Sequence, residues 1–121
     1  MIVLDSSCVL AYAFNEPGAD LVEPGLAEAF VPVPNWAEVH EHLRRRGFPA
    51  QRTTARVLAV GTRPISVDRD DAELAASLWE PGNGLSLADR FCIAVGRRLD
   101  LPVWTCDRAW AGVDPRVVVL R

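Results

Sequence analysis

Apolar residues recur along this chain in two alternating patterns. Short runs of three or four (Ile2-Val3-Leu4, Phe30-Val31-Pro32-Val33, Pro64-Ile65-Ser66-Val67, Pro102-Val103-Trp104-Thr105 and Val117-Val118-Val119-Leu120) have the length and β-branched content of buried strands. The proline in the second run makes that strand short or places it near an edge. Between these runs the apolar positions fall at spacings of three and four. Ser6 or Ser7 can cap a helix over about 7–13, and Asn15-Glu16-Pro17-Gly18 reads as a turn. A short helix over about 18–28 is interrupted by Pro24-Gly25. Trp36, Val39, His40 and Leu43 mark a helix from Asn35 to Arg46. Arg44-Arg45-Arg46 complements its negative end, and Gly47 suits the position just beyond it. Pro49 opens a second helix to about Val60, so 35–60 reads as a helical hairpin.

Asp68 caps a helix over about 69–79 with Ala72, Ala75, Ala76 and Trp79 as its apolar stripe. Pro81-Gly82-Asn83-Gly84 is a loop, and Ser86 caps a helix over about 87–99. A short helical turn follows at 108–111. Strands alternating with helices predict an α/β domain: a central parallel sheet of four to five strands with helices on both faces. At 121 residues the chain makes a single domain spanning 1–121.

Composition narrows the function. No apolar run approaches the ~20 residues that span a bilayer, and the N-terminal segment lacks the pattern of a signal peptide, so a cytoplasmic protein without membrane contact is expected. Cys8, Cys92 and Cys106 are odd in number, fit no zinc spacing and sit in apolar segments, which suits buried free thiols. The net charge is −3 and all thirteen basic residues are arginine. That balance opposes a nonspecific nucleic-acid coat. The absence of lysine excludes Schiff-base chemistry and a P-loop phosphate grip. It also removes the lysine that a receiver-type phosphoacceptor needs. A phosphatase with two aspartates in its nucleophile loop would want an acid at position 7, where Ser7 stands.

Four acids carry the candidate chemistry. Asp5 and Asp107 follow apolar runs, at strand ends. Glu38 and Asp89 lie near the starts of helices. In open parallel sheets ligands bind outside the carboxyl ends of the strands, where such residues can converge. Each has a modest alternative role: turn or cap for Asp5 and Asp107, dipole partner for Asp89, and capping-box residue opposite Asn35 for Glu38. Together they would repel unless they held a hard cation such as Mg²⁺. Neutralising them shifts the net charge from −3 to +1. Glu41, one turn beyond Glu38, competes for the same place. Asp68 is better explained as a cap. His40 and His42, two apart, face different ways. Arg44, Arg45, Arg46, Arg52 and Arg56 cluster on the hairpin, as a solvated face or as RNA phosphate contacts. Trp110 could stack on a base or pack its turn; Trp36, Trp79 and Trp104 read as core.

The ordered set Ile2-Val3-Leu4-Asp5-Ser6-Ser7, Asn15-Glu16-Pro17-Gly18, Asn35-Trp36-Ala37-Glu38-Val39, Leu85-Ser86-Leu87-Ala88-Asp89-Arg90 and Thr105-Cys106-Asp107-Arg108-Ala109-Trp110 resembles the PIN-domain ribonucleases, most closely the VapC-type toxins of toxin–antitoxin pairs. The resemblance covers essentially the whole chain. It implies a PIN-like fold and a Mg²⁺- or Mn²⁺-dependent endoribonuclease. Asp5, Glu38, Asp89 and Asp107 match the family's acidic quartet, which fixes Glu38 over Glu41. Ser6 and Thr105 match its supporting hydroxyl residues. In such enzymes the metal activates a water and neutralises the scissile phosphate, leaving a 3′-hydroxyl and a 5′-phosphate. The resemblance also implies a VapB-like antitoxin that covers the hairpin groove, an RNA substrate and a homodimer. A housekeeping PIN nuclease or a PIN-fold binding module are the alternatives.

Overall fold

In a computed structural model describing residues 1–121, five strands form one wholly parallel sheet. They are β1 (Ile2–Leu4), β2 (Ala29–Pro32), β3 (Arg63–Ile65), β4 (Val103–Thr105) and β5 (Val117–Val119), in the order β3-β2-β1-β4-β5. β1 is central, with Val3 opposite both Phe30 and Val103. All five strands overlap expected runs, though β2 and β3 each start one residue earlier, at Ala29 and Arg63, Val33 passes to the following helix, and Ser66 and Val67 lie outside β3. β2 is short and one strand in from the edge, with Pro32 as its last residue.

Alternation along β1 divides the core. Ile2 and Leu4 join one apolar cluster with Val9, Leu26, Val31, Val39 and Leu43. Val3 points to a second cluster with Ile93, Val95, Val103 and Trp110. The first is packed by α1 (Ser6–Ala13), α3 (Val33–Arg45) and α4 (Ala50–Val60). The second is packed chiefly by α6 (Leu87–Leu99). Gly96 lets α6 lie directly on β4, because a Cβ there would stand 2.2 Å from Val103 Cγ2. The helices thus cover both faces, as the alternating pattern requires.

Four local expectations change. The segment 18–28 is not one helix. It is α2 (Ala19–Val22) followed by a 3-10 turn over Glu23–Glu28 with Pro24 in its first turn. α1 is capped by Asp5 rather than by a serine: its carboxylate accepts from Cys8 N at 3.0 Å, as the positive end of a helix favours. α3 starts at Val33 rather than after Asn35, because Pro34 is well suited to a first turn. Asn35 is therefore no cap. It is fully buried, and neither of its side-chain polar atoms has a hydrogen-bond partner.

The fourth change concerns α5, which spans Arg69–Ser77 and is capped by Asp68 in a capping box with Asp71. Its inward face is Asp71 and Ala75, flanked by half-buried Leu74 and Leu78, while Ala72 and Ala76 are exposed. Asp71 turns inward because it pairs with Arg98 of α6 at 2.9 Å. Trp79 lies beyond the helix end and is 60% exposed, so it is not core. Trp36 and Trp104 are partly buried against the first cluster. The three cysteines are free and buried.

Candidate active site

The β1–β4 pairing brings the ends of the two central strands together. Asp5 N donates to Trp104 O at 3.2 Å, so the ladder continues to the first acid. Asp5 is 1% exposed and accepts three hydrogen bonds. Ser7 Oγ donates to Oδ1 at 2.6 Å, alongside Cys8 N, and Thr105 Oγ1 donates to Oδ2 at 2.6 Å. The network then crosses to the second strand end. Ser7 Oγ accepts from Cys106 N at 2.9 Å, and Thr105 Oγ1 accepts from Asp107 N at 3.0 Å. Two hydroxyls therefore couple the Asp5 carboxylate to the backbone that presents Asp107.

The other two acids arrive from helices. Glu38 sits in the second turn of α3, free of capping duty, and Ser6 Oγ donates to its Oε1 at 2.9 Å. Asp89 occupies the third position of α6 in a reciprocal capping box: its Oδ2 accepts from Ser86 N at 2.9 Å, and its own N–H donates to Ser86 Oγ at 3.2 Å. Asp89 thus stands at the helix start where a dipole partner is expected, and joins a capping box there as well. That box also fixes where Asp89 stands. Asp107 is exposed and turns one oxygen to Ala109 N at 2.9 Å.

Electrostatics tie these residues together. Burial pushes the Asp5 carboxyl from 3.8 up to about 6; its three hydrogen bonds oppose that rise and the Asp89 charge adds to it. Glu38 is raised chiefly by burial, then by Asp89 and Glu41, against Ser6 and His42. Asp89 is raised by burial and by Asp107, against its bonds to Ser86 and the nearby Arg90. None of the four acids enters an ion pair, although the molecule holds six. Glu41, by contrast, is neutralised by Arg45 of its own helix. Asp68 is committed to capping.

This donor set fits a hard divalent cation. It consists of carboxylate oxygens, those of Asp5, Glu38 and Asp89 at elevated proton affinity, with no cationic side chain bonded to any of the four. As they stand, no three of the acidic, histidine and cysteine side chains are placed to hold one ion in common. His40 packs edge-on against Trp36, with ring centroids 5.7 Å apart, and is no part of the cluster.

The hairpin arginines do not form a single surface. Arg45 pairs with Glu41, and Arg46 lies 3.7 Å over the Phe14 ring. Arg44 and Arg52 line a groove of about 700 Å³ with His40, Gly47 and Phe48, while Arg56 borders a smaller hollow beside Tyr12. Trp110 is fully buried, so it packs its 3-10 turn and is closed to base stacking. Ser7 escaped the sequence reading as a site residue. Its role depends on β1 and β4 pairing across about a hundred residues, and no local signal marks it.

A parallel sheet with an acidic cluster at its carboxyl edge and a helical hairpin on one flank describes a class of α/β nucleases. The chain belongs to the PIN domain family, whose pattern matches residues 2–114. No curated protein sequence matches it. Several solved structures share the fold. A chain of a toxin–antitoxin complex from Klebsiella pneumoniae is 22% identical with a TM-score of 0.78, covering 100% of this chain and 98% of its own. VapC20 of Mycobacterium tuberculosis, described as a sarcin–ricin loop cleaving toxin, is 18% identical with a TM-score of 0.70, covering 93% and 95%. FitAcB of Neisseria gonorrhoeae is 20% identical with a TM-score of 0.65, covering 100% and 97%.

Proposed function

We propose that this protein is a Mg²⁺- or Mn²⁺-dependent endoribonuclease and the toxin of a toxin–antitoxin pair. One observation carries the catalytic reading. Four carboxylates gather at one sheet edge, burial and then neighbouring acids raise the proton affinity of Asp5, Glu38 and Asp89, and none of the four has an ion-pair partner. Such an arrangement costs stability in a protein whose only task is to fold. Asp5, Glu38, Asp89 and Asp107 would hold the cation. When bound, the cation would supply Lewis acidity for the attacking water and neutralise charge on the scissile phosphate.

The remaining work belongs to the chain. Ser7 and Thr105 hold the Asp5 carboxylate by both oxygens, Ser6 orients Glu38, and the Ser86 cap orients Asp89. These bonds fix the orientation of Asp5, Glu38 and Asp89, so the side-chain movement needed to converge on a cation would be reduced. Attack in line with the leaving oxygen would leave a 3′-hydroxyl and a 5′-phosphate.

The toxin reading is supported by the kinds of protein that share the fold, a toxin–antitoxin complex and a sarcin–ricin loop cleaving toxin among them. It implies a VapB-like antitoxin over the hairpin groove, a homodimer and action on cytoplasmic RNA. No helix is long and apolar enough to cross a membrane. The decisive variants are Asp5→Asn and Asp89→Asn. Both should keep the wild-type circular dichroism spectrum and lose at least ~100-fold in RNA cleavage with Mg²⁺ present. Full activity in either would remove the assignment.

A further inference from the structure

A groove of about 640 Å³ lies at the carboxyl edge of the sheet, on the outer side of Asp107. It is lined by Ser7, Pro17, Cys106, Asp107, Arg108 and Arg121. Two of these residues belong to the acidic site: Asp107 itself, and Ser7, which bonds the Asp5 carboxylate. The groove is therefore continuous with the cluster. The hairpin groove that holds Arg44 and Arg52 contains none of the four acids and none of their hydroxyl partners.

Arg108 and Arg121 give this groove its character. Neither enters an ion pair with a carboxylate side chain. Arg121 is pinned by backbone: Nε donates to Cys106 O at 3.1 Å and Nη1 to Pro17 O at 2.7 Å, leaving Nη2 uncommitted. Arg108 donates only through Nε, to the backbone oxygen of Arg121 at 3.2 Å, and both its terminal nitrogens are free. The 15–18 turn closes against this wall. Gly18, at φ +100°, approaches so closely that a Cβ there would stand 3.2 Å from Cys106 Sγ and 3.6 Å from Arg121 Cδ. The Arg121 guanidinium, held by the neutral carbonyls of Cys106 and Pro17, keeps its full charge, while the Arg108 guanidinium is fixed at Nε alone. Because they are already fixed, they lose little conformational freedom on meeting an anion.

We infer that the Arg108–Arg121 groove seats the RNA backbone phosphates flanking the scissile one and so sets the strand's path across the acidic cluster. The inference rests on the nuclease reading for its substrate class. It assigns the phosphate grip to the wall beside Asp107 rather than to the hairpin arginines. Two arginines suit one or two phosphodiesters, each taken through paired N–H donors. Such contacts carry no base specificity, so the groove fixes register while other surfaces choose sequence.

The test is binding of a fluorescent single-stranded RNA to Asp89→Asn protein with Mg²⁺, followed by anisotropy across a salt series. In that background Arg108→Ala/Arg121→Ala should weaken binding about ten-fold at low salt. It should also flatten the slope of log affinity against log salt by about 1.4, at ~0.7 for each single-strand phosphate that is no longer neutralised. Arg44→Ala/Arg52→Ala should change the slope by less than half as much. Because Arg121 also braces the 15–18 turn, Arg108→Gln serves as the milder variant; Arg108 is exposed and makes one hydrogen bond, and its slope should fall by about 0.7. An unchanged affinity and slope in Arg108→Gln overturns the groove, as does a parent protein that binds no RNA. If the wild type cleaves no RNA while the binding shows this arginine dependence, the nuclease reading fails and the groove stands.

Discussion

Among the four candidate acids, Asp5 is the most buried. It is buried, accepts three hydrogen bonds, and still holds its proton up to about pH 6. A native value above the ordinary 3.8 means that the folded state binds this proton more tightly than the unfolded chain. The stability that Asp5 contributes is present in full below about pH 4 and is lost as the pH rises through about 6. The gap corresponds to about 3 kcal/mol in the metal-free protein. Chemical denaturation in chelator, at about pH 4.5 and about pH 7.5, should show this loss in the wild type. Asp5→Asn should show a visibly smaller one. An identical pH dependence in both proteins would mean that the Asp5 carboxyl is not strained. The candidacy of Asp5 could be read from its place after an apolar run. Its partners could not: Thr105 was legible only through family resemblance, and Ser7 only once two strands distant in sequence lay side by side.

At the scale of elements, strands were the most legible because each is a short apolar run bounded by turn residues. Errors collected at helix starts, where chemistry outweighs periodicity. A carboxylate outcompeted two serines for the cap of α1, and Pro34 let α3 begin two residues early. Both shifts favour the site, since they free Ser6, Ser7 and Glu38 for one another and for Asp5. On α5 the inward face departs from the alanine spacing because a buried ion pair, Asp71 with Arg98, takes the place of an apolar contact. α6 matters most for function, because it carries Asp89 and rests on β4 through Gly96. Gly96→Ala would drive a methyl group into Val103. It should cost about 1–3 kcal/mol or more by denaturant unfolding and weaken cleavage by shifting Asp89 against Asp107. A variant as stable and active as the wild type would show that α6 is free to slide, contrary to the close packing described.

On the scale of the whole molecule, a five-strand parallel sheet with β1 at its centre collects residues from positions 5, 38, 89 and 107 at one edge. The net charge of −3 hides a local division: four unpaired acids stand at that edge, while Arg108 and Arg121 line the groove that includes Asp107. An unrestrained ribonuclease of this kind harms its host, so expression of the chain alone should arrest growth. Co-expression of a small protein encoded immediately upstream, or the Asp89→Asn change, should relieve the arrest. Harmless expression of the wild type would favour a housekeeping nuclease instead.

The most direct test of the central claim is end-mapping of RNA incubated with the purified protein. With Mg²⁺ or Mn²⁺ the wild type should produce discrete fragments bearing 5′-phosphate and 3′-hydroxyl ends. Chelator or Asp89→Asn should abolish them. Intact RNA with the wild type, or the same fragments from Asp89→Asn, would contradict the account.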